Sequence, residues 1–99
     1  MKVENMKDKF GANVANQFLL KNVEFQGIRG NCLQSASNMV CFKPYDRDIK
    51  LIFDKNWTHF GQATHRYVLL FLGVSNGELK RMESANEITH IDLNEYEWL

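Results

Sequence analysis

No apolar run in this chain approaches the ~20 residues that a membrane-spanning helix needs; the longest is Tyr67-Val68-Leu69-Leu70-Phe71-Leu72. The opening MKVENMKDKF is of mixed charge and lacks the basic-then-apolar build of a secretory signal, so the expectation is a cytoplasmic protein with no membrane partner. Proline occurs once, and Pro, Gly and Ser never cluster into a linker. There is also no internal repeat and no low-complexity tract, which leaves a single domain over residues 1–99. Two cysteines, Cys32 and Cys41, are too few for a disulfide scaffold, and without a signal peptide they read as free thiols in a reducing compartment. For the same reason the sequon Asn56-Trp57-Thr58 carries no weight. Lys and Arg are missing altogether from the last eighteen positions.

What is present is enough for one ordinary core. Hydrophobic residues make up 44% of the 99 positions and aromatics 12%, inside the range of a globular domain that folds without metals or disulfides. Formal charge is zero but unevenly laid down: all twelve Lys and Arg and seven acids fall in residues 1–81, while Met82–Leu99 holds Glu83, Glu87, Asp92, Glu95 and Glu97. Such a segment either compensates the charge of the body or forms a docking surface for a basic partner. With no concentrated basic face, nucleic-acid binding by the whole chain is disfavoured.

Periodicity suggests how the chain is organised. Val3, Met6, Phe10, Val14 and Leu20, with Phe18 at the margin, fall within one arc of about 120° at helical spacing, which predicts an amphipathic helix from about Val3 to Gln17. Gly11, Asn13 and Asn16 are poor interior residues for it. The period then changes to two, with Leu19, Val23 and Phe25 on one face, and Gly27-Ile28-Arg29-Gly30-Asn31 reads as a break. Further strands are predicted over 38–43, 49–53, 66–74, 78–83 and 88–93, with Asn76-Gly77 as a type I′ hairpin turn. Tyr67 to Leu72, apolar on both faces, reads as an interior strand. The expected fold is α+β, an N-terminal amphipathic helix packed on a curved antiparallel sheet of five to six strands. Its second sheet face must also be covered, and a homodimer through the sheet is one way to do so.

Candidate sites come from residue chemistry. WTHFGQATHRY, residues 57–67, is expected to be a loop on a rigid scaffold, and Trp57, His59, His65 and Tyr67 are its candidate ligand-binding residues. Alternatively Trp57 and Phe60 simply close the core. Cys32, Cys41, His59 and His65 form a nominal zinc set, but the close pairs that aim two ligands at one ion are missing, and no metal or cofactor is expected. Cys32 beside Gly30-Asn31 is the more accessible thiol and Cys41 reads as a small buried hydrophobe; a nucleophile would need a histidine and an orienting Asp46, Asp48 or Asn38 beside it, ingredients present in most domains, so no catalytic residue is assigned. Asp46-Arg47-Asp48 reads as a solvated turn. Gly27-Ile28-Arg29-Gly30 is formally a G-x-x-G loop but has no helix on either side of it. At the C-terminus, Glu95, Tyr96, Trp98 and Leu99 are the candidate partner-binding residues: aromatics on an acidic tail either fold back over the open sheet face or dock on another chain. The expected function is therefore a small non-enzymatic binding protein acting through protein–protein contacts, with another protein or with itself as a homodimer. The alternative is a small-molecule-binding or simple acid–base domain with a pocket between helix and curved sheet, in which His59 or His65 is the base.

Overall fold

The computed structural model describes residues 1–96 and Trp98. Six strands form one mixed sheet in the order of the chain: β1 (Lys2–Lys7), β2 (Asn13–Phe25), β3 (Ile28–Ser35), β4 (Asn38–Pro44), β5 (Leu51–Asp54) and β6 (Ile88–Ile91). Neighbours from β1 to β5 are antiparallel, whereas β6 runs parallel to β5. A parallel neighbour requires a crossover, and the chain makes it with a 3-10 turn over Trp57–Phe60 and two helices, α1 (Gln62–Leu72) and α2 (Asn76–Ser84). The molecule is thus α+β with a largely antiparallel sheet, and no helix among the described residues is long and apolar enough to cross a membrane.

The N-terminal helix expected over Val3–Gln17 does not form; this segment is the β1–β2 hairpin. Its connection is built by Asp8, whose Oδ1 accepts from the backbone N–H of Phe10 (2.8 Å) and of Ala12 (3.0 Å). Gly11 sits in that loop at φ 81°, a conformation closed to helical residues. The helical spacing of Val3, Met6, Phe10 and Val14 arises because a loop and a register shift between Asn5 and Lys7 interrupt the two-residue alternation. A second bulge, between Leu20 and Val23, splits the face expected to carry Leu19, Val23 and Phe25. Leu19 pairs with Leu33 toward the helices, while Val23 and Phe25 join Leu20 on the opposite side.

The expected break at 27–31 is mostly strand. Gln26 and Gly27, at φ 50° and 80°, make a two-residue turn, and β3 starts at Ile28. The strands expected over 66–74 and 78–83 are α1 and α2. Gly73 ends α1 in the left-handed conformation, its N–H donating to Leu69 and Leu70 carbonyls. Two residues later Ser75 caps α2, its Oγ accepting from Glu78 N–H at 3.1 Å, so Ser75-Asn76-Gly77-Glu78 is a helix start rather than a hairpin turn. Strands predicted near 38–43, 49–53 and 88–93 are present as β4, β5 and β6.

Both sheet faces are apolar. Leu33, Cys41 and Phe53 face α1 and α2, where they meet Trp57, Tyr67, Val68, Leu72 and Leu79. Leu20, Cys32, Phe42 and Ile52 face the other way and are covered by the chain's own end, with Leu93 fully buried and Trp98 stacked on Phe25 at 4.8 Å. Asp54, buried at the end of β5, holds that cover down. Its carboxylate accepts from Leu93 N–H (2.9 Å), Asn94 Nδ2 (3.1 Å) and Asn56 N–H (2.9 Å). Asn94 also pairs with the backbone of β4, accepting from Met39 N–H at 2.6 Å and donating to the Met39 carbonyl at 3.1 Å.

Where β3 and β4 come closest, Gly30 faces Lys43 and Pro44; a Cβ there would lie 2.3 Å from the Lys43 carbonyl oxygen. Gly30→Ala is therefore expected to destabilise by about 1–3 kcal/mol through overpacking, lowering the thermal midpoint by several degrees per kilocalorie, about 4–8 °C in a domain of this size. An unchanged midpoint in circular dichroism would show that β3 and β4 are farther apart than described.

Candidate functional site

Residues 57–67 are not a free loop. Trp57 is buried edge-on to Phe53 (5.1 Å), and His65 stacks on its indole at 5.2 Å. His65 Nε2 lies 3.0 Å from Asn76 Oδ1, so this histidine ties α1 to α2. Thr64, which sequence reasoning passed over, is buried; its Oγ1 donates to the Phe60 carbonyl (3.0 Å) and meets Ser35 Oγ at 2.9 Å, anchoring the start of α1 to the sheet. Residues two apart on a helix project about 200° apart, so Tyr67 points away from the surroundings of His65. His59 is exposed on the 3-10 turn. The structure brings Trp57 and His65 together; Tyr67 shares the core cluster of Trp57 but not the surroundings of His65, and His59 is exposed.

The two cysteines lie in different clusters: Cys41 pairs with Leu33 on the helix face and Cys32 with Phe42 on the opposite one. Thiols pointing to opposite sides of a sheet neither bridge nor share an ion with two histidines. Burial pushes both thiols well above the ordinary cysteine range, the opposite of what a nucleophile needs. Among the described residues no group of three His, Cys, Asp or Glu is arranged to hold a metal.

At the C-terminus, Tyr96 packs edge-on to Phe25 (5.4 Å), and Trp98 stacks on the same ring and donates from Nε1 to the Leu93 carbonyl (3.0 Å). The segment thus lies on its own sheet. Glu95 is exposed beside it, and Leu99 lies outside the described residues. Several acids of this region are balanced within the chain: Glu87 pairs with Arg81 (3.0 Å), Asp92 approaches Lys55 (4.0 Å) and Glu83 approaches His90 (3.9 Å). Arg81 also grips Glu78, and this hydrogen bond holds the Glu78 carboxyl below its usual range.

A different surface emerges on the helix side of β1 and β2. Phe10, at the tip of the β1–β2 loop, is 83% exposed and has only Lys9 over its ring, at 5.1 Å. Across from it stand Arg66, Tyr67 and Leu70 of α1, and between them lies a recess of about 430 Å³ with Lys7 and Lys9 at its rim. Leu70, 57% exposed, also borders a second recess of about 470 Å³, whose walls include Met6, Leu19 and Phe71 with Lys43 and Arg47 at the margin. Leu70 is the one wall the two recesses share, and together they are called the groove along α1. Its origin is geometric: six strands at ~4.8 Å spacing span about 24 Å, whereas two helices about 10 Å wide cover about 20 Å. With α1 lying over β2, β3 and β4, the apolar side chains near β1 keep one side open. Phe10 escaped sequence reasoning because an isolated phenylalanine at helical spacing reads as core.

Compared with family models, with curated proteins and with solved structures, the chain matches none.

Cys32 and Cys41 are expected to resist an aromatic disulfide reagent at pH 8 in the native protein and to react together once guanidinium unfolds it. Reaction of either thiol at the rate of free cysteine would contradict its burial and reopen nucleophilic chemistry.

Proposed function

We propose that this chain is a small non-enzymatic binding protein that acts through protein–protein contacts, and that the groove between α1 and the β1–β2 hairpin is its contact surface. The observation that carries this reading is the ordered exposure of Phe10 opposite Leu70. Asp8 fixes the loop through two backbone N–H groups, so the phenyl ring is held out by built structure. Contiguous exposed apolar groups with a polar rim are what protein interfaces offer. The argument for a homodimer through the open sheet face loses its motive, since Leu93 and Trp98 of the same chain occupy that face. Self-association through the groove belongs to the proposal instead. A second reading has support in the volume of the recess, which lies within the ~300–1,000 Å³ of small-molecule sites, so an apolar ligand is the alternative occupant.

A native mass spectrum beside the denatured mass distinguishes them. The protein-binding reading expects folded species at whole multiples of the chain mass, whereas an increment that disappears on denaturation supports the small ligand. Phe10→Ser supplies the companion measurement: a side chain held out for a partner contributes within about 0.5 kcal/mol to stability, the range of ordinary surface substitutions. A loss of 2 kcal/mol or so would mark Phe10 as part of the core and remove the groove's main anchor.

A further inference from the structure

We infer that the groove takes an acidic segment of a different protein, one carrying aliphatic or aromatic side chains between its carboxylates. The inference rests on the protein-binding reading above and adds the chemistry of the partner.

Charge is the first ground. Elsewhere most cations are satisfied within the chain, with Lys50 and Lys80 the exceptions: Lys2 and Lys21 reach Glu4, Arg29 approaches Glu24, Lys55 approaches Asp92, and Arg81 holds Glu78 and Glu87. Seven Lys and Arg side chains have no carboxylate partner among the described residues, and five of them line the two recesses. Lys7, Lys9 and Arg66 border the recess at Phe10; Lys43 and Arg47 border the one beyond Leu70. Asp8 is the sole acid in the lining, and its carboxylate is already engaged by the loop it closes. Cations gathered on one surface and left unneutralised favour an anionic occupant and speed its approach.

Apolarity is the second ground, and it separates a peptide from a nucleic acid. Between the cations the exposed apolar side chains are Phe10 and Leu70, with half-buried Met6 and Phe71 further along and buried Tyr67 at the floor. These match alternating apolar side chains better than a phosphate backbone. A second copy is the poorer occupant, because this chain's own acidic and aromatic end is committed: Leu93 is fully buried and Trp98 lies between Phe25 and Phe42.

The test is selection of a random peptide phage library on the immobilised full-length chain, followed by calorimetric titration of the selected peptides. Enrichment in Asp and Glu around Leu, Phe or Trp is expected, with affinity falling on the order of tenfold or more in Phe10→Ser and in Arg66→Glu, and falling again as salt is raised. Leu70→Ser serves as an independent variant, and the thermal midpoint of each shows that it remains folded. Peptides that require Phe10 but carry no acids would overturn the acidic partner and leave the groove standing as a protein-binding surface. Binders indifferent to all three substitutions, or an empty selection, would overturn both. A fluorescent oligo(U) that binds more tightly than the peptides and depends on Arg66 would replace the inferred partner with a nucleic acid.

Discussion

Everything in this fold follows from a sheet that is apolar on both sides. Along β3 and β4 the alternation sends Leu33 and Cys41 one way and Cys32 and Phe42 the other, and all four are buried. One sheet then needs two covers. The crossover from β5 to β6 supplies the first as α1 and α2. The second is a short tail segment, and it is held in place by hydrogen bonds to a single carboxylate. Asp54 links the end of β5 to Leu93 and Asn94, while Asn94 occupies the backbone of β4 at Met39 as an added strand would. Each buried polar group there has its partner, which is what allows an aspartate to sit in the interior.

The first cover is too narrow for the sheet, and the groove is the result. Strand β1 protects its open edge by carrying Lys2, Glu4 and Lys7, a common defence against pairing with other chains. Beside that edge Phe10 and Leu70 stand exposed, with Lys7, Lys9 and Arg66 around them.

Part of this was legible from the residues. Short alternating stretches gave β4, β5 and β6 within a few positions, and the acidic, aromatic end had to lie against something apolar. The N-terminal hairpin was hidden because a bulge near Met6 and a loop at Phe10 turn a two-residue period into an apparent helical one. The run from Tyr67 to Leu72 is short and apolar enough to suit either a buried strand or a helix. The arbiters were Gly73 and the Ser75-x-x-Glu78 cap, read instead as part of a hairpin through Asn76-Gly77. As for the site, Tyr67 lines the recess beside Phe10, and the histidines near it in sequence face α2 or solvent.

The most direct test of the two-cover account is equilibrium unfolding of the chain ended after Asp92, read beside binding of a hydrophobic dye. Removing fully buried Leu93 forfeits roughly 1.5–3 kcal/mol and half-buried Trp98 a part of that, and leaving Asp54 Oδ1 without Leu93 N–H and Asn94 Nδ2 adds about 1–3 kcal/mol. That loss is comparable to the ~5–15 kcal/mol by which domains of this size are stable. The account predicts a shortened chain that is largely unfolded or binds dye through its exposed Phe25 and Phe42. A shortened chain with the full-length midpoint and no dye binding would contradict it.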